Sequence, residues 1–134
     1  LKPDTYMNNS GLSALNIKSF YSLKNENIYV FHDEIDLEIS KVKVKTAGSS
    51  NGHNGLKSLD KHIGNDYNRI RIGVGRPLIN EKKIRDEMIS KWVLSDFSTK
   101  DRELWLHSTI EKISEYFGDL IDKNFQNFLN NFNN

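Results

Sequence analysis

The stretch that decides the fold is Ile28-Tyr29-Val30-Phe31-His32-Asp33-Glu34-Ile35-Asp36, in which an apolar run passes directly into an acidic one. The run over 28–31 predicts a short strand covered on both faces, as in the middle of an α/β sheet. Residues 32–36 would then emerge at its carboxyl end, where open α/β sheets bind ligands. Asp33 could there orient an imidazole or accept a substrate hydrogen bond. The alternative is an acidic turn that faces water.

Strands and helices alternate on either side of this stretch. Strict alternation predicts strands over 41–45 and 69–74, and helical spacing predicts an amphipathic helix over 11–24. A second helix is predicted over 55–63. Asn54 is the predicted cap of the helix over 55–63 and Gly64 its stop. A short helix is predicted over 82–92. This order indicates an α/β layered fold with a mixed sheet, in a single domain that spans residues 1–134.

The C-terminal part is predicted to be one long helix followed by a frayed tail. Ser98 and Asp101 have capping-box spacing at the helix start. Asparagines dominate residues 124–134, which we expect to fray. The apolar stripe of the helix comprises Leu106, Ile110, Ile113, Phe117, Leu120 and Ile121.

Composition narrows the class of protein. The 134 residues are 37% hydrophobic and 28% charged, which is typical of a globular chain, and no apolar run approaches the length of a membrane span. Cysteine is absent, which excludes disulfides and thiolate zinc sites and suits a reducing cytoplasm. The net charge of +1 gives no general attraction to nucleic acid, so any basic footprint depends on how the 19 Lys and Arg residues are arranged.

The loop before the helix over 55–63 is a candidate binding element. Residues 48–56 read Gly-Ser-Ser-Asn-Gly-His-Asn-Gly-Leu, and the free N–H groups of the helix start favour an anion or a carbonyl oxygen. The loop matches neither a P-loop nor G-x-G-x-x-G, so a nucleotide cofactor is not expected. The alternative is an ordinary flexible loop in which His53 is a surface histidine.

A metal site in the acidic stretch is disfavoured. His32, Asp33, Glu34 and Asp36 are all possible ligands. If the strand continues through them, however, His32 and Glu34 point to one face and Asp33 to the other. Helical metal-binding spacings are also absent.

Two predicted strands carry cationic faces. Lys41, Lys43 and Lys45 share one face, and Arg69 and Arg71 share another. If the strands are neighbours, these side chains form a local basic patch suited to phosphates. The alternative is that both are solvated faces of half-exposed strands.

Taken together, several segments resemble the bacterial peptidyl-tRNA hydrolase family in order and spacing over residues 2–98. Residues 5–11 are similar to its T-[FY]-M-N-x-S-G segment, and residues 32–37 to its H-D-[ED]-[LI]-D-L. Residues 52–56 match its G-H-N-G-L, residues 69–77 its R-[LI]-[RK]-[IV]-G-[IV]-G-R-P, and residues 93–98 its V-L-x-x-F-S. The final helix fits by position only.

The resemblance implies a three-layer fold and an esterase that cleaves peptide from the terminal ribose of tRNA, without metal or cofactor. It implies that Asn8 and Asn54 bind the peptide beside the scissile ester and that Asp33 orients the histidine acting as general base. It also implies a cytoplasmic protein, and we expect a monomer. The remaining implied roles are cleft lining by Tyr6, Met7 and His53, and contacts to tRNA phosphates by Lys45 and Arg71.

The sequence departs from the family pattern in two places. Ser49, Ser50 and Asn51 stand where the family loop has glycines, which bears on the mobility of that loop. The family's G-L-G-N-P-G strand and its T-R-H-N segment, which holds the base histidine, have no counterpart in residues 1–134. The histidines His32, His53, His62 and His107 do not fill that motif. We therefore expect a chain that begins at Leu1 to lack the early strands, to be inactive and to be poorly soluble.

Two alternatives to an esterase stay open. One is a non-catalytic RNA-binding relative, since chloroplast group II intron splicing factors are similar to this family and use the fold as a scaffold. The other is a generic anion-binding α/β module, which accounts for the loop and helix cap but not for the segments in register. Retention of Asn8, Asp33 and Asn54 favours the enzyme.

Overall fold

The computed structural model describes residues 1–76 and 86–134, with side chains described from residue 88 onward in the second range. The chain divides into two compact units. The first comprises Leu1–Val30 and Lys45–Ile70, and the second comprises Phe31–Val44 and Arg71–Asn134. The single domain over 1–134 stays a prediction.

Three strands form a mixed sheet in the order β1-β3-β2, with β1 at Tyr29–Glu34, β2 at Val42–Thr46 and β3 at Asn68–Gly73. Strand β3 runs parallel to β1, because the N–H groups of residues 68 and 74 donate to the carbonyls of residues 28 and 34. It runs antiparallel to β2, because residue 47 donates to residue 67 while residue 73 donates to residue 41. The predicted α/β class with a mixed sheet is confirmed.

Strand β1 extends further than the sequence predicted. It continues through His32, Asp33 and Glu34, so these residues lie in the strand and not in a turn after Phe31. His32 and Glu34 are buried while Asp33 is half-buried, as expected when successive side chains point to opposite faces. Hydrogen bonding to β3 explains the extension, since the Glu34 carbonyl accepts from Val74 N–H at 3.1 Å.

In the first unit, two helices pack around an apolar cluster. A 3-10 turn at Met7–Asn9 leads into α1 at Ser10–Phe20, a second 3-10 turn lies at Asn25–Asn27, and α2 spans Asn54–Ile63. The cluster consists of Leu56, Leu59, Ile63 and Tyr67, with Ala14, Leu15, Ile28 and Val30 packed against it. Gly64 ends α2 as predicted, with a φ of 80°.

The predicted bounds and apolar face of α1 are partly wrong. The helix ends at Phe20 instead of residue 24, and Leu12 and Phe20 are 47% and 80% exposed. The side of α1 that faces α2 is the one holding Gly11, whose N–H donates to Ser58 Oγ at 3.0 Å. The spacing of apolar residues predicted a helix, but the contact with α2 decides which side of that helix is buried.

In the second unit, α3 spans Asp86–Leu94. The part of the predicted helix over 82–92 that precedes residue 86 lies outside the described residues. A continuous helical segment then comprises α4 (Thr99–Asp101), a π-helical turn (Arg102–Leu106) and α5 (His107–Glu115), followed by α6 (Phe117–Ile121). Ser98 caps its start as predicted, since Ser98 Oγ accepts from Asp101 N–H at 3.0 Å.

The apolar stripe predicted for this segment is only partly buried. Ile113 and Leu120 are buried, whereas Ile110, Phe117 and Ile121 are exposed. A π-helical turn closes i→i+5 hydrogen bonds and so rotates the residues after it relative to an α-helical period. A break at Tyr116 interrupts the period a second time.

The predicted fraying of the C-terminal tail is wrong. Residues Phe125–Asn133 form helix α7, in which Phe128 and Phe132 are 0% and 5% exposed. Asn124 caps it by accepting from Asn127 N–H at 3.3 Å. Buried phenylalanines one helical turn apart therefore outweigh the low helix propensity of asparagine. Among all the described helices, none has the length and apolar character to cross a bilayer.

Candidate functional site

The start of α2 is capped by His53 and not, as predicted, by Asn54. His53 has an extended backbone, and its Nδ1 accepts from Leu56 N–H at 3.2 Å. An imidazole nitrogen can accept only while it carries no proton, so this contact requires the tautomer with hydrogen on Nε2. Asn54 is thereby the first helical residue, and its side chain is exposed.

Gly55 brings the predicted cleft residues Met7 and His53 together. A Cβ placed on Gly55 would lie 2.6 Å from Met7 Sδ and 3.0 Å from His53 Cε1, so both side chains occupy the space that a larger residue would need. The 3-10 turn that holds Met7 and Asn8 packs against α2.

The amide and aromatic groups beside this contact are open to solvent. Asn8 is exposed in the 3-10 turn, Asn54 is exposed at the helix start, and Tyr6 just before the turn is 89% exposed. The first unit thus presents amides beside the positive end of a helix. Such a surface suits a carbonyl-bearing or anionic ligand.

The loop between β2 and α2 is built from left-handed backbone positions and internal hydrogen bonds. Ala47, Gly48, Asn51 and Gly52 all have φ between 47° and 118°. Asn51 N–H donates to Ser49 Oγ at 3.2 Å, and the His53 N–H donates to the carbonyl of residue 50 at 3.0 Å. Of the residues that replace glycine in the family loop, only Asn51 needs a left-handed φ, which asparagine tolerates better than most residues.

Lys45, the predicted phosphate contact at the end of β2, is exposed and folds over this loop. A Cβ on Gly48 would lie 2.8 Å from both Cε and Nζ of Lys45. Glycine at position 48 therefore lets the lysine ammonium lie directly against the loop backbone.

Arg69 fits neither interpretation of the cationic strand faces, because it is buried, with 2% of its side chain exposed. Its Nη1 donates to the Ser49 carbonyl at 2.6 Å, and its Nη2 donates to the Gly48 carbonyl at 2.8 Å and to Asp60 Oδ1 at 3.0 Å. Tyr67 OH donates to the same Asp60 oxygen at 2.7 Å.

The phenol of Tyr67 is held in its neutral form within this cluster. Burial, followed by the hydrogen bond to Asp60, raises the pKa of Tyr67 above its ordinary range. The guanidinium of Arg69 lies 4.8 Å from the centre of the Tyr67 ring, within range of a cation–π contact.

In the second unit, Asp33 lies in β1 next to a strong ion pair. Arg71 on β3 donates from Nε at 3.0 Å and from Nη2 at 2.7 Å to Glu34 Oε2. Glu34 Oε1 also accepts from Asp36 N–H at 3.1 Å. Asp33 points to the opposite face from Glu34, while its carbonyl lies 2.7 Å from Nδ1 of His32. The predicted phosphate ligand Arg71 is thus partly neutralised by Glu34.

The structure therefore distributes the predicted site residues over both units. Met7, Asn8, His53 and Asn54 gather around the start of α2, with Lys45 on the loop that leads to it; Asp33 and Arg71 belong to the second unit. Within the described ranges, no group of three or more His, Asp or Glu side chains is arranged to hold a metal ion.

The cluster of Arg69, Asp60 and Tyr67 was missed by sequence reasoning. Alternation places Arg69 on a strand face but does not distinguish a solvated arginine from a buried one. A signal was available in Asp60, an acidic residue of the predicted helix over 55–63, which in a layered fold packs on the sheet. A charge on the packed side of a helix normally requires a partner.

The mixed sheet and its flanking helices define an α/β protein, and the start of α2 carries an exposed amide. The model of the family described as "Peptidyl-tRNA hydrolase" matches residues 1–134. The chain belongs to the peptidyl-tRNA hydrolase family.

Relatives in both sequence and structure agree with this assignment. Peptidyl-tRNA hydrolases from Rickettsia canadensis and Rickettsia prowazekii are each 45% identical over 130 residues, which covers 97% of this chain and 66% of theirs. A crystal structure of peptidyl-tRNA hydrolase from Acinetobacter baumannii matches with a TM-score of 0.80 and 33% identity, over 98% of this chain and 63% of that one. The chain thus spans about two thirds of the length of these relatives.

Proposed function

We propose that the complete protein hydrolyses the ester between a peptide and the terminal ribose of its tRNA. The observation that carries this proposal is the start of α2 in a chain of this family. There the exposed Asn54 lies between the His53 cap and Gly55, against which Met7 packs. Helix N–H groups and an amide donor suit the carbonyl oxygen of an ester, on which negative charge develops during attack by water.

The proposed chemistry is general base catalysis. A water oxygen bonds to the ester carbonyl carbon while an imidazole takes its proton. The carbon–oxygen bond to the ribose then breaks, and the imidazolium returns the proton to the ribose oxygen. The peptide leaves as a carboxylic acid that loses its remaining proton to solvent, so the products are a peptide carboxylate, a proton and a tRNA with a free hydroxyl.

Within this scheme Asp33 orients the imidazole, and Asn8 and Asn54 hold the peptide. The base histidine of the family lies in a T-R-H-N segment that has no counterpart in residues 1–134. Asp33 lies within a hydrogen-bonded strand, and that backbone gives it the fixed position such a role needs.

Binding of tRNA is proposed to depend on local positive charge, since the net charge is only +1. Lys45 is exposed over the loop. Arg71 donates to Glu34 through Nε and Nη2, and its Nη1 is the nitrogen proposed to contact a phosphate. Each phosphate contact of this kind should make affinity fall as salt rises. The absence of cysteine supports a cytoplasmic setting, where such a substrate is made.

The test is turnover of a peptidyl-tRNA by the complete protein and two variants. Asp33→Asn should lower kcat by roughly 10²- to 10⁴-fold, since an unoriented base loses the right tautomer. Asn54→Ala should lower kcat by roughly 10²-fold, the loss typical of one oxyanion donor. Asp122→Asn, at the exposed residue that follows α6, and Asn16→Ala, at an exposed position of α1, are matched controls and should retain wild-type turnover.

Wild-type turnover in both site variants would contradict these roles. Tight RNA binding by the complete protein without any release of peptide would instead support the non-catalytic scaffold.

A further inference from the structure

The buried cluster around Arg69 connects the sheet, helix α2 and the loop through one guanidinium. Nη1 and Nη2 each bind a loop carbonyl, and Nη2 also binds the Asp60 carboxylate. At 2% exposure the guanidinium is desolvated, so its charge needs the Asp60 carboxylate nearby.

The cluster is closed on its other sides by Tyr67. The phenol donates to the same Asp60 oxygen at 2.7 Å, and the ring lies under the guanidinium at 4.8 Å. The Asp60 carboxylate therefore accepts from both Tyr67 and Arg69. The guanidinium of Arg69 contacts the Tyr67 ring through its face and the hydrogen-bond acceptors through its edge. The guanidinium is planar and its donors point in fixed directions, so these contacts fix its orientation, which they would not do for a lysine ammonium.

The loop residues that Arg69 holds are also the ones against which Lys45 lies. Nη2 binds the carbonyl of Gly48, and it is Gly48 whose missing Cβ leaves room for Lys45 Nζ. Nη1 binds the next carbonyl, and Ser49 in turn accepts from Asn51 N–H through its Oγ. Arg69 therefore binds the same loop residue, Gly48, against which the Lys45 ammonium lies.

We propose that Arg69, fixed by Asp60 and Tyr67, is a positioning residue that sets where the Lys45 ammonium meets a phosphate of the RNA substrate. This inference rests on the proposed function for the identity of the ligand. Arg69 itself does not touch the ligand, since its fork is engaged with the protein. Its contribution is to substrate binding and not to the chemical step.

The first experiment compares Arg69→Lys with wild type in the complete protein, using peptidyl-tRNA hydrolysis over a series of KCl concentrations. Lysine keeps the charge but cannot bind both carbonyls and the carboxylate together. KM should rise about tenfold, the effect of one lost charged contact, with kcat within about twofold. The slope of log(kcat/KM) against log[KCl] should become shallower by about 0.7 to 0.9, as for one lost phosphate contact. Arg102→Lys, at an exposed helical position, is the matched control and should change neither quantity.

The second experiment is a double-mutant cycle. Lys45→Ala should show the same loss of slope, and Lys45→Ala/Arg69→Lys should bind no worse than Lys45→Ala alone, because both changes remove one contact. Additive effects, or a wild-type salt slope in Arg69→Lys, would overturn the inference.

Hydrogen exchange tests the anchoring without reference to the substrate. In Arg69→Lys the amides of Asn51 and His53 should exchange at least about tenfold faster, with the amides of α2 beyond Leu59 unchanged. Equal acceleration in both places would indicate general destabilisation and overturn the inference. Should Arg69→Lys fail to fold, Tyr67→Phe and Asp60→Asn take its place, and they must show the same loop-specific exchange and reduced slope.

The proposed function and this inference fail in different ways. Wild-type protein without hydrolytic activity overturns the proposed function, and the hydrogen-exchange result still decides the anchoring. Active wild-type protein with an unaltered loop and slope in Arg69→Lys overturns the inference alone.

Discussion

His53 Nδ1 accepts a hydrogen bond from Leu56 N–H at 3.2 Å, so a histidine caps the helix that carries the candidate substrate-binding amide. This contact assigns the capping role to one residue and leaves the next, Asn54, exposed at the positive end of α2. The two adjacent side chains thus differ: His53 caps the helix, and the amide of Asn54, proposed to bind the peptide, is open to solvent.

Loss of the cap should cost stability. His53→Ala removes the acceptor for Leu56 N–H and should lower the free energy of unfolding by about 1 kcal/mol, while His53→Asn should restore most of it because asparagine is a good cap. Urea denaturation followed by circular dichroism measures both. If alanine and asparagine are equally stable at position 53, the hydrogen bond to Leu56 has no capping role.

Gly55→Ala should separate activity from stability. The new methyl group would meet Met7 Sδ at 2.6 Å, which the flexible thioether can relieve by moving away from the cleft. The methyl group would also lie 3.0 Å from Cε1 of the capping His53, which offsets the helix-favouring effect of alanine. We expect a melting temperature close to that of wild type, together with a loss of about tenfold or more in kcat/KM. Gly118→Ala is the control, because no atom lies within 4 Å of a Cβ at that position. Unchanged kcat/KM in Gly55→Ala would show that the placement of Met7 does not matter.

The ion pair between Glu34 and Arg71 should be important for stability. Glu34→Ala leaves two arginine donors without their acceptor and should lower the free energy of unfolding by about 1.5 to 3 kcal/mol. Glu38→Ala, at an exposed position, should change it by less than about 0.5 kcal/mol. Chemical denaturation of the two variants decides the matter. Equal midpoints would mean that the pair contributes no net stability.

The capping box at Ser98 should be visible in the titration of Asp101. The Ser98 hydroxyl donates to Asp101 Oδ2 at 2.6 Å and is the main cause that holds the pKa of Asp101 below its usual value. A depressed folded-state pKa contributes stability at pH values above the usual carboxyl pKa, and this contribution is lost as pH falls through the folded-state value.

Ser98→Ala should therefore raise the pKa of Asp101 towards its usual value, as measured by NMR titration of the carboxyl carbon. Ser108→Ala, at an exposed helical position, serves as the control. An unshifted pKa in Ser98→Ala would contradict the assigned cause.

Local pattern was enough for those elements in which one face meets water. Alternating Lys and Val in β2 predicted a strand with Val42 buried and its lysines exposed, and the spacing of Ser98 and Asp101 predicted a capping box. Each of these signals depends only on residues close in the chain, which explains why the sequence alone predicted them.

Elements that depend on contacts between residues far apart in the chain could not be predicted from local sequence pattern. The sequence left open whether the acidic run after Phe31 is the functional end of a strand or a turn that faces water. Pairing with β3 extends the strand through His32, Asp33 and Glu34. The asparagine-rich tail was expected to fray, but burial of Phe128 and Phe132 stabilises it as a helix.

The same limit applies to the candidate site. Asn8 and Asn54 were nominated as peptide-binding residues through resemblance to a family, whereas Asp33 was also singled out by its position after an apolar strand. Both amides are exposed, and all three roles stay predictions. The burial of Arg69 depends on Asp60 and on two loop carbonyls, which only the folded chain brings together.

The most direct test of the central claim is the fate of water oxygen. The complete protein is incubated with peptidyl-tRNA in H₂¹⁸O, and the released peptide is examined by mass spectrometry. Hydrolysis by a base-activated water predicts free tRNA and one ¹⁸O atom in the peptide carboxylate, with both formed roughly 10²- to 10⁴-fold more slowly in Asp33→Asn. Intact peptidyl-tRNA after incubation with the wild-type protein, or a released peptide without ¹⁸O, would contradict it.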